Sequence, residues 1–170
     1  MKRERIHKHI FRLKMLVAGL IFLMAVWIFF DTFILLPRSI TPGAEGLEAV
    51  FVGFASGIAL AVVMAFSIIV AGVAILLLGF GVIVCIKERK YNPLAGGKAA
   101  DPRRYKTCRI LADVLLIVSI GVVTVYHCFI TANQAVLFIG GVSVSAAAFG
   151  ILIFTEVLAE IAAKQMNNEP

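Results

Sequence analysis

Residues 50–86 read VFVGFASGIALAVVMAFSIIVAGVAILLLGFGVIVCI, a run without a charged residue or a proline. As one α-helix this run measures about 55 Å at ~1.5 Å per residue, which exceeds the ~30 Å hydrocarbon core of a bilayer. The run is therefore either one helix that tilts or overhangs the bilayer, or two short helices that turn near Ala71 and Gly72. In either form it predicts an integral membrane protein.

The composition of the whole chain supports the same class. Of its 170 residues, 61% are hydrophobic and 15% are charged, and the mean hydropathy is +1.01. A soluble domain has roughly 45–50% apolar residues, so a water-soluble globule is excluded. The long apolar runs exclude a disordered tail, and three cysteines without a C-x-x-C motif exclude a disulfide-stapled secreted module.

Three further apolar runs have the length of a membrane span. They cover residues 15–36, 110–130 and 135–157. The last two are separated by a very short connection, so we expect these two helices to form an antiparallel hairpin. The chain is short enough that residues 1–170 are predicted to form a single membrane domain.

The positions of the basic residues decide between the two forms of the long run. Fourteen of the sixteen Lys and Arg residues lie in two blocks, residues 1–14 and the loop of residues 87–109. Both blocks face the cytoplasm by the positive-inside rule, so an even number of spans must separate them. The sequence therefore predicts an all-α protein with four transmembrane helices, a long second helix and both termini in the cytoplasm. Residues 1–14 are predicted to form a basic interfacial segment.

Small residues are spaced for close helix packing in two of the spans. Stacked small residues allow another backbone to approach closely, which is how helices associate in lipid. We expect packing within the chain's own bundle, with a contact to a partner chain as the alternative. The residues at this i, i+4 spacing are Gly53, Gly57, Ala61 and Ala65 in the second span, and Gly141 and Ser145 in the fourth.

Asp31 is an acidic residue within the first span. An ionisable residue inside a span indicates a functional site by default. Trp27, Phe30 and Phe33 surround it and are typical of the membrane interface, so we expect a hydrated carboxylate at headgroup level. A buried Asp31 that serves a transport pathway is the alternative.

The loop of residues 87–109 carries eight basic residues and only two acidic ones. An anionic leaflet attracts each basic residue by roughly 1 kcal/mol, and the topology alone explains the basicity, so we expect lipid rather than nucleic acid as the partner. Asp101 followed by Pro102 predicts the start of a helix that leads into the third span. Three residues of this segment are expected to contact anionic lipid: Arg103, Arg104 and Lys106.

Two other acidic positions have ordinary explanations in the sequence. Asp113 stands four residues after Arg109, a spacing that predicts an ion pair on one helix face. Glu156 and Glu160 are one turn apart near the end of the fourth span, where a solvated helix end is expected.

The sequence contains no pattern that favours catalysis. His127 and Cys128 are adjacent but lack the further ligands that zinc requires. No paired carboxylates, and no nucleophile with its base, stand at one depth in the spans. We therefore expect no enzymatic activity, no metal and no cofactor.

The order of parts carries a resemblance to a known family. A basic start, one span, a long second span, a basic loop (AADPRRYK) leading into a third span, and a fourth span running into the tail EVLAEIAAKQMNNEP resemble the uncharacterised four-span membrane proteins of Gram-positive bacteria classed as domain of unknown function twenty-nine seventy-five. Those proteins usually carry an aromatic residue followed by Ser or Thr before the basic stretch, and this chain differs there. The resemblance implies a membrane-regulatory or accessory protein without an assigned catalytic activity.

These features predict a non-enzymatic protein of the bacterial inner membrane. It acts by helix–helix association, as a homo-oligomer or as an accessory subunit of a membrane complex. The alternative is a small transporter or channel that uses Asp31. Transport pathways require several polar residues at mid-depth or helices broken by Gly or Pro, and the spans offer few such polar residues and no proline.

Overall fold

The computed structural model describes residues 2–35, 47–92, 101–130 and 135–167. Within these ranges the chain forms long helices and no β-strand. All four long helices have the length and apolar composition needed to cross a membrane, which confirms the all-α class and the predicted number of candidate spans. The helices are α1 (Lys2–Phe30, continued by a π-helical turn over Asp31–Leu35), α2 (Leu47–Tyr91), α3 (Pro102–Ile130) and α4 (Ala135–Asn167).

The long apolar run forms one helix. α2 has 45 residues and measures about 68 Å at the usual helical rise. It passes through Ala71 and Gly72 without a turn, and Ala71 is fully buried against the other helices. The alternative of two short helices is therefore wrong.

At the end of the bundle that carries most of the basic residues, the helices extend beyond the apolar runs that were predicted as spans. Residues 2–14 continue α1 rather than forming a separate segment, and Ile10 is buried in the bundle. α3 begins where the Asp101-Pro102 pair predicted. The Asp101 carboxylate accepts hydrogen bonds from the backbone N–H groups of Arg103 at 3.0 Å and Arg104 at 3.2 Å, which caps the helix.

Each helix buries a seam of residues at alternating spacings of three and four. This is the spacing at which helices pack along their length with a small left-handed crossing angle. Many seam residues are small, which allows close approach between helices in lipid. The seam is Ile10, Lys14, Val17, Ile21, Met24, Ile28 and Asp31 in α1; Ser67, Ala71, Ala74, Leu78, Gly81, Cys85 and Glu88 in α2; Ala112, Leu116, Ser119, Val123 and Tyr126 in α3; and Gly141, Ser145, Ala148, Leu152, Thr155, Ala159 and Ala162 in α4.

The seams close an antiparallel up-down-up-down bundle. Each helix contacts the next one along the chain, and α4 returns to α1. The predicted hairpin of the third and fourth spans is present, since residues late in α3 face residues early in α4. Representative contacts are Lys14 with Glu88, Gly81 with Leu116, His127 with Gly141, and Met24 with Ser145.

α2 extends past the other helices at one end. Ser67 of α2 lies opposite Tyr126, and α3 continues for only about 6 Å beyond that point. α2 continues from Ser67 to Leu47, about 30 Å, so it protrudes by roughly 24 Å beyond the described end of α3. No side chain between Gly53 and Phe66 is buried. We call residues 47–66 the α2 extension.

Gly141 provides a test of the seam. A Cβ atom at this position would overlap the Cδ2 atom of the buried His127 ring, whereas a Cβ atom at the neighbouring Gly140 meets no atom within 4 Å. We expect Gly141→Ala to lower the stability of the bundle by about 1–3 kcal/mol through overpacking. Gly140→Ala adds the same methyl group on the open face and should leave the melting temperature in detergent unchanged. Equal melting temperatures for the two variants would contradict the packing of α4 on α3.

Candidate functional site

Buried polar side chains collect at the two ends of the bundle. We call the end that contains Lys14 and the start of α3 the basic end, and the end that contains Asp31 and Tyr126 the far end. About 25 Å of α1 separates Lys14 from Asp31. The polar side chains at one end contact one another and not those at the other end.

At the basic end, Lys14 is the central group of a buried ion pair network. Its Nζ atom lies 3.0 Å from Oε2 of Glu88 and 2.9 Å from Oδ1 of Asp113. The Lys14 side chain is 2% exposed, and those of Glu88 and Asp113 are 9% and 14% exposed. One ammonium group therefore joins α1, α2 and α3. Burying these charges costs desolvation energy, and their mutual contacts offset that cost.

A second ion pair extends this network to α4. The Arg109 guanidinium binds the Glu156 carboxylate through two hydrogen bonds, one of them 3.0 Å from Nε to Oε1. Such a two-point contact fixes both side chains in orientation. We call the whole set the ion cluster: Lys14, Glu88, Arg109, Asp113 and Glu156. With every group ionised it has two cations and three carboxylates.

The ion cluster corrects two predictions made from spacing. Asp113 does not take Arg109 as its partner; it turns toward Lys14 of α1, and Arg109 turns toward α4. Glu156 is bound to Arg109 rather than being a solvated group, while Glu160 is exposed as expected. Arg109 and Asp113 each pair with a residue of another helix, because a partly desolvated ion pair interacts more strongly than a solvent-exposed pair on one helix face.

At the far end, Asp31 is 4% exposed. Its Oδ1 atom is buried and has no hydrogen-bond partner among the described residues. The imidazole of His127 lies close enough to interact with it electrostatically. The hydrated position expected from the aromatic neighbours is therefore wrong.

The reason for this burial is the seam of α1. Asp31 follows Met24 and Ile28 at the same three-and-four spacing, so it faces the other helices. Trp27 and Phe30 are each 42% exposed and lie on the outer face. Trp27 and Phe30 therefore indicate the surroundings of the outer face of α1, and not those of the face that carries Asp31.

Hydroxyl groups from three helices meet beside Asp31. The Thr32 and Tyr126 hydroxyls form a hydrogen bond of 2.8 Å, and the Ser67 hydroxyl lies 3.2 Å from that of Tyr126. His127 Nδ1 lies 2.9 Å from the Val123 carbonyl oxygen, so Nδ1 carries the proton and donates it. We call Asp31, Thr32, Ser67, Tyr126 and His127 the far-end cluster.

An apolar layer separates the two clusters. The buried residues of α1 between Lys14 and Asp31 are all apolar: Val17, Ala18, Ile21, Met24, Ala25 and Ile28. Two buried serines lie at mid-depth. Ser119 donates its hydroxyl hydrogen to the Leu115 carbonyl oxygen of its own helix at 2.8 Å, and the Ser145 hydroxyl lies 3.9 Å from Met24 Sδ, so neither hydrogen bond connects the two clusters.

The predicted helix-packing residues fall into two groups. Gly141 and Ser145 lie in the α4 seam, against His127 and Met24. Gly53, Gly57, Ala61 and Ala65 lie instead on the α2 extension, where Gly57 and both alanines are exposed.

The extension repeats the spacing of the α2 seam. Counting back from Ser67 by three and four reaches Met64, Leu60, Gly57 and Gly53. A Cβ atom on either glycine meets no heavy atom of the described residues within 4 Å. The packing face of α2 thus continues beyond the bundle without a described partner helix.

The basic residues predicted to contact lipid lie in the first two turns of α3. Arg103, Arg104 and Lys106 are all exposed. Arg104 contacts Asp101, with Nε 3.2 Å from Oδ2, and its guanidinium lies 5.8 Å from the centre of the Tyr91 ring. Arg103 and Arg104 line a common cavity, and Lys106 lies outside it.

Sequence reasoning missed Lys14 and Glu88 as interior groups. Both were assigned to basic segments at the membrane surface because of their neighbours in sequence. The three-and-four spacing that continues from Val17 back to Lys14, and from Cys85 on to Glu88, was the available signal. Among the described residues, no group of three or more His, Cys, Asp or Glu side chains is arranged to hold a metal ion.

Comparison of the chain with protein-family models, with curated proteins and with solved structures finds no match. The resemblance to domain of unknown function twenty-nine seventy-five therefore stays a prediction.

Lys14 provides a test of the ion cluster. Lys14→Met leaves Glu88 and Asp113 buried without their shared cation, and we expect a loss of about 3–5 kcal/mol in unfolding free energy. Replacing all three residues with apolar ones should restore most of that stability, because no unpaired charge remains. Lys90→Met removes an exposed lysine at the same end and serves as the control. If Lys14→Met and Lys90→Met unfold at the same temperature in detergent, the ammonium does not hold the helices together.

Proposed function

We propose that this chain is a non-enzymatic membrane protein that acts by helix–helix association. It forms a homo-oligomer or serves as an accessory subunit of a larger membrane complex. The observation that carries the proposal is the α2 extension, on which the packing seam continues through Gly57 and Gly53 without a described partner helix.

Physical chemistry favours a protein partner on this face. Phe54 and Val62 are exposed on the extension. They lie about 50 Å and 38 Å along α2 from Lys87, beyond a ~30 Å hydrocarbon core that begins at the basic end, so lipid tails do not cover them. A stripe of glycine and alanine offers lipid little contact area but allows a second helix to approach closely. Exposed apolar side chains beyond the hydrocarbon core and a stripe of small residues both favour a protein partner on the extension.

The proposed setting is the cell membrane of a bacterium, with both termini and the basic end in the cytoplasm. The concentration of Lys and Arg at that end supports this orientation. The distance along α1 from Lys14 to Phe33 is about 28 Å, close to the ~30 Å hydrocarbon core. The layout shared with domain of unknown function twenty-nine seventy-five supports an accessory role.

A second candidate function is transport of protons or cations through Asp31. The observation that favours it is the buried carboxylate oxygen without a hydrogen-bond partner beside His127. Buried carboxylates inside membrane bundles commonly serve ion pathways. The apolar layer between the far-end cluster and the ion cluster argues against a continuous path, so this function ranks second.

The association is tested by enlarging the small residues of the extension. Gly57→Leu combined with Ala61→Leu places two bulky side chains on the proposed contact face. We expect the dissociation constant of the oligomer to rise by about tenfold or more, equivalent to ~1.4 kcal/mol. Sedimentation or native mass spectrometry in mild detergent measures the change.

Ala55→Leu combined with Ala59→Leu is the matched control. It also introduces two leucines four residues apart, on the opposite side of the helix, where both alanines are exposed. The control should associate like the wild type. Two results together would show that the association proposal is wrong. The first is that the wild type is a monomer, and the second is that Gly57→Leu removes no membrane protein that co-purifies with the wild type.

The second candidate is tested in liposomes under an imposed proton or cation gradient. We expect no flux from either the wild type or Asp31→Asn, because the apolar layer holds no polar path. Glu160→Gln, at an exposed site, controls for loss of one carboxylate. Flux in the wild type that Asp31→Asn abolishes and Glu160→Gln keeps would replace the association proposal with transport.

A further inference from the structure

A cavity of about 320 Å³ opens between the last turns of α2 and the first turns of α3. It lies at the basic end, on the outside of the bundle. Its lining joins two helices that are separated in sequence by the loop between them. The lining residues are Lys87, Tyr91, Arg103, Arg104, Thr107 and Cys108.

The cavity is strongly cationic. Lys87, Arg103 and Arg104 contribute three positive charges, and Asp101 supplies one nearby carboxylate. That carboxylate already accepts the backbone N–H groups at the start of α3. An anionic ligand would therefore be recognised by the side chains from the two helices and not by the helix terminus.

The surface next to the cavity is apolar. One turn from Lys87 along α2 lies Ile83, which is 51% exposed, and one turn from Thr107 along α3 lies Leu111, which is 46% exposed. A ligand that fits both surfaces needs an anionic head and an apolar body. A guanidinium matches the geometry of phosphate oxygens through paired hydrogen bonds.

We propose that this cavity binds the phosphate of an anionic phospholipid, with the acyl chains lying along Ile83 and Leu111. The shared chemistry is a phosphate group, and the apolar surface selects a lipid over a free phosphate ion. Basic pockets between transmembrane helices on the cytoplasmic side bind lipid headgroups by the same physics. The proposal is independent of the association through the α2 extension.

Cys108 provides a native reporter for the site. It lines the cavity and is partly exposed, and Cys85 is buried. The exposed Cys128 is replaced by serine in every protein compared, so that it does not react with maleimide. The full chain is placed in nanodiscs of phosphatidylcholine, with or without phosphatidylglycerol, and the rate of maleimide addition to Cys108 is followed by mass spectrometry. We expect phosphatidylglycerol to slow the modification by roughly an order of magnitude.

Two sets of variants separate the site from the general surface charge. Lys87→Gln with Arg103→Gln and Arg104→Gln removes the cations of the cavity, and phosphatidylglycerol should then leave the rate unchanged. Lys90→Gln with Arg5→Gln and Arg12→Gln removes the same charge from exposed positions that do not line the cavity. This control also experiences the altered surface pH of an anionic membrane, and it should keep the protection.

A separate arm adds inorganic phosphate to phosphatidylcholine nanodiscs. Protection by phosphatidylglycerol alone supports the lipid site. Equal protection by inorganic phosphate would make the cavity a site for soluble phosphate and overturn the lipid assignment. Equal loss of protection in both sets of variants, or no protection in the wild type, would also overturn it.

Discussion

The ammonium group of Lys14, held between the carboxylates of Glu88 and Asp113, fixes the axial positions of three helices. Lipid supplies no hydrophobic force between membrane helices, and a seam of small residues tolerates sliding. The buried ammonium of Lys14 prevents such sliding, because sliding would leave Lys14, Glu88 and Asp113 without their charged partners. Arg109 and Glu156 extend the same constraint to α4.

The length of the α2 extension follows from that register. With Glu88 placed at the level of Lys14, Ser67 meets Tyr126 at the far end, and the Tyr126 hydroxyl also forms a hydrogen bond with that of Thr32. The remaining residues of α2 have no helix of this chain beside them among the described residues. A long apolar run and one buried ion cluster thus produce an unpartnered packing face as a direct consequence of geometry.

The two ends of the bundle differ in how their polar groups are satisfied. At the basic end, oppositely charged groups meet at hydrogen-bonding distances. At the far end, hydroxyls pair with one another, while a carboxylate oxygen of Asp31 has no described hydrogen-bond partner. Opposite charges in contact offset the cost of burying them, whereas a buried carboxylate oxygen with neither an ion pair nor a hydrogen bond among the described residues is a position where a proton or a ligand would lower the energy.

The sequence by itself determined the all-α class, the four helices that are long and apolar enough to cross a membrane, and the start of α3, because apolar length and helix capping are local properties. It also contains the three-and-four spacing of the seam. The sequence neighbours of Lys14 and Asp31 nevertheless suggest positions at the membrane surface, whereas both residues lie inside the bundle. Only the tertiary structure decided that Asp113 pairs with Lys14 and that Arg109 pairs with Glu156. It also placed Gly57 on an exposed face and Gly141 in the interior. The physical reason is that the partner of a buried group depends on how neighbouring helices are aligned along their axes. The spacing of residues within one helix carries no information about that alignment.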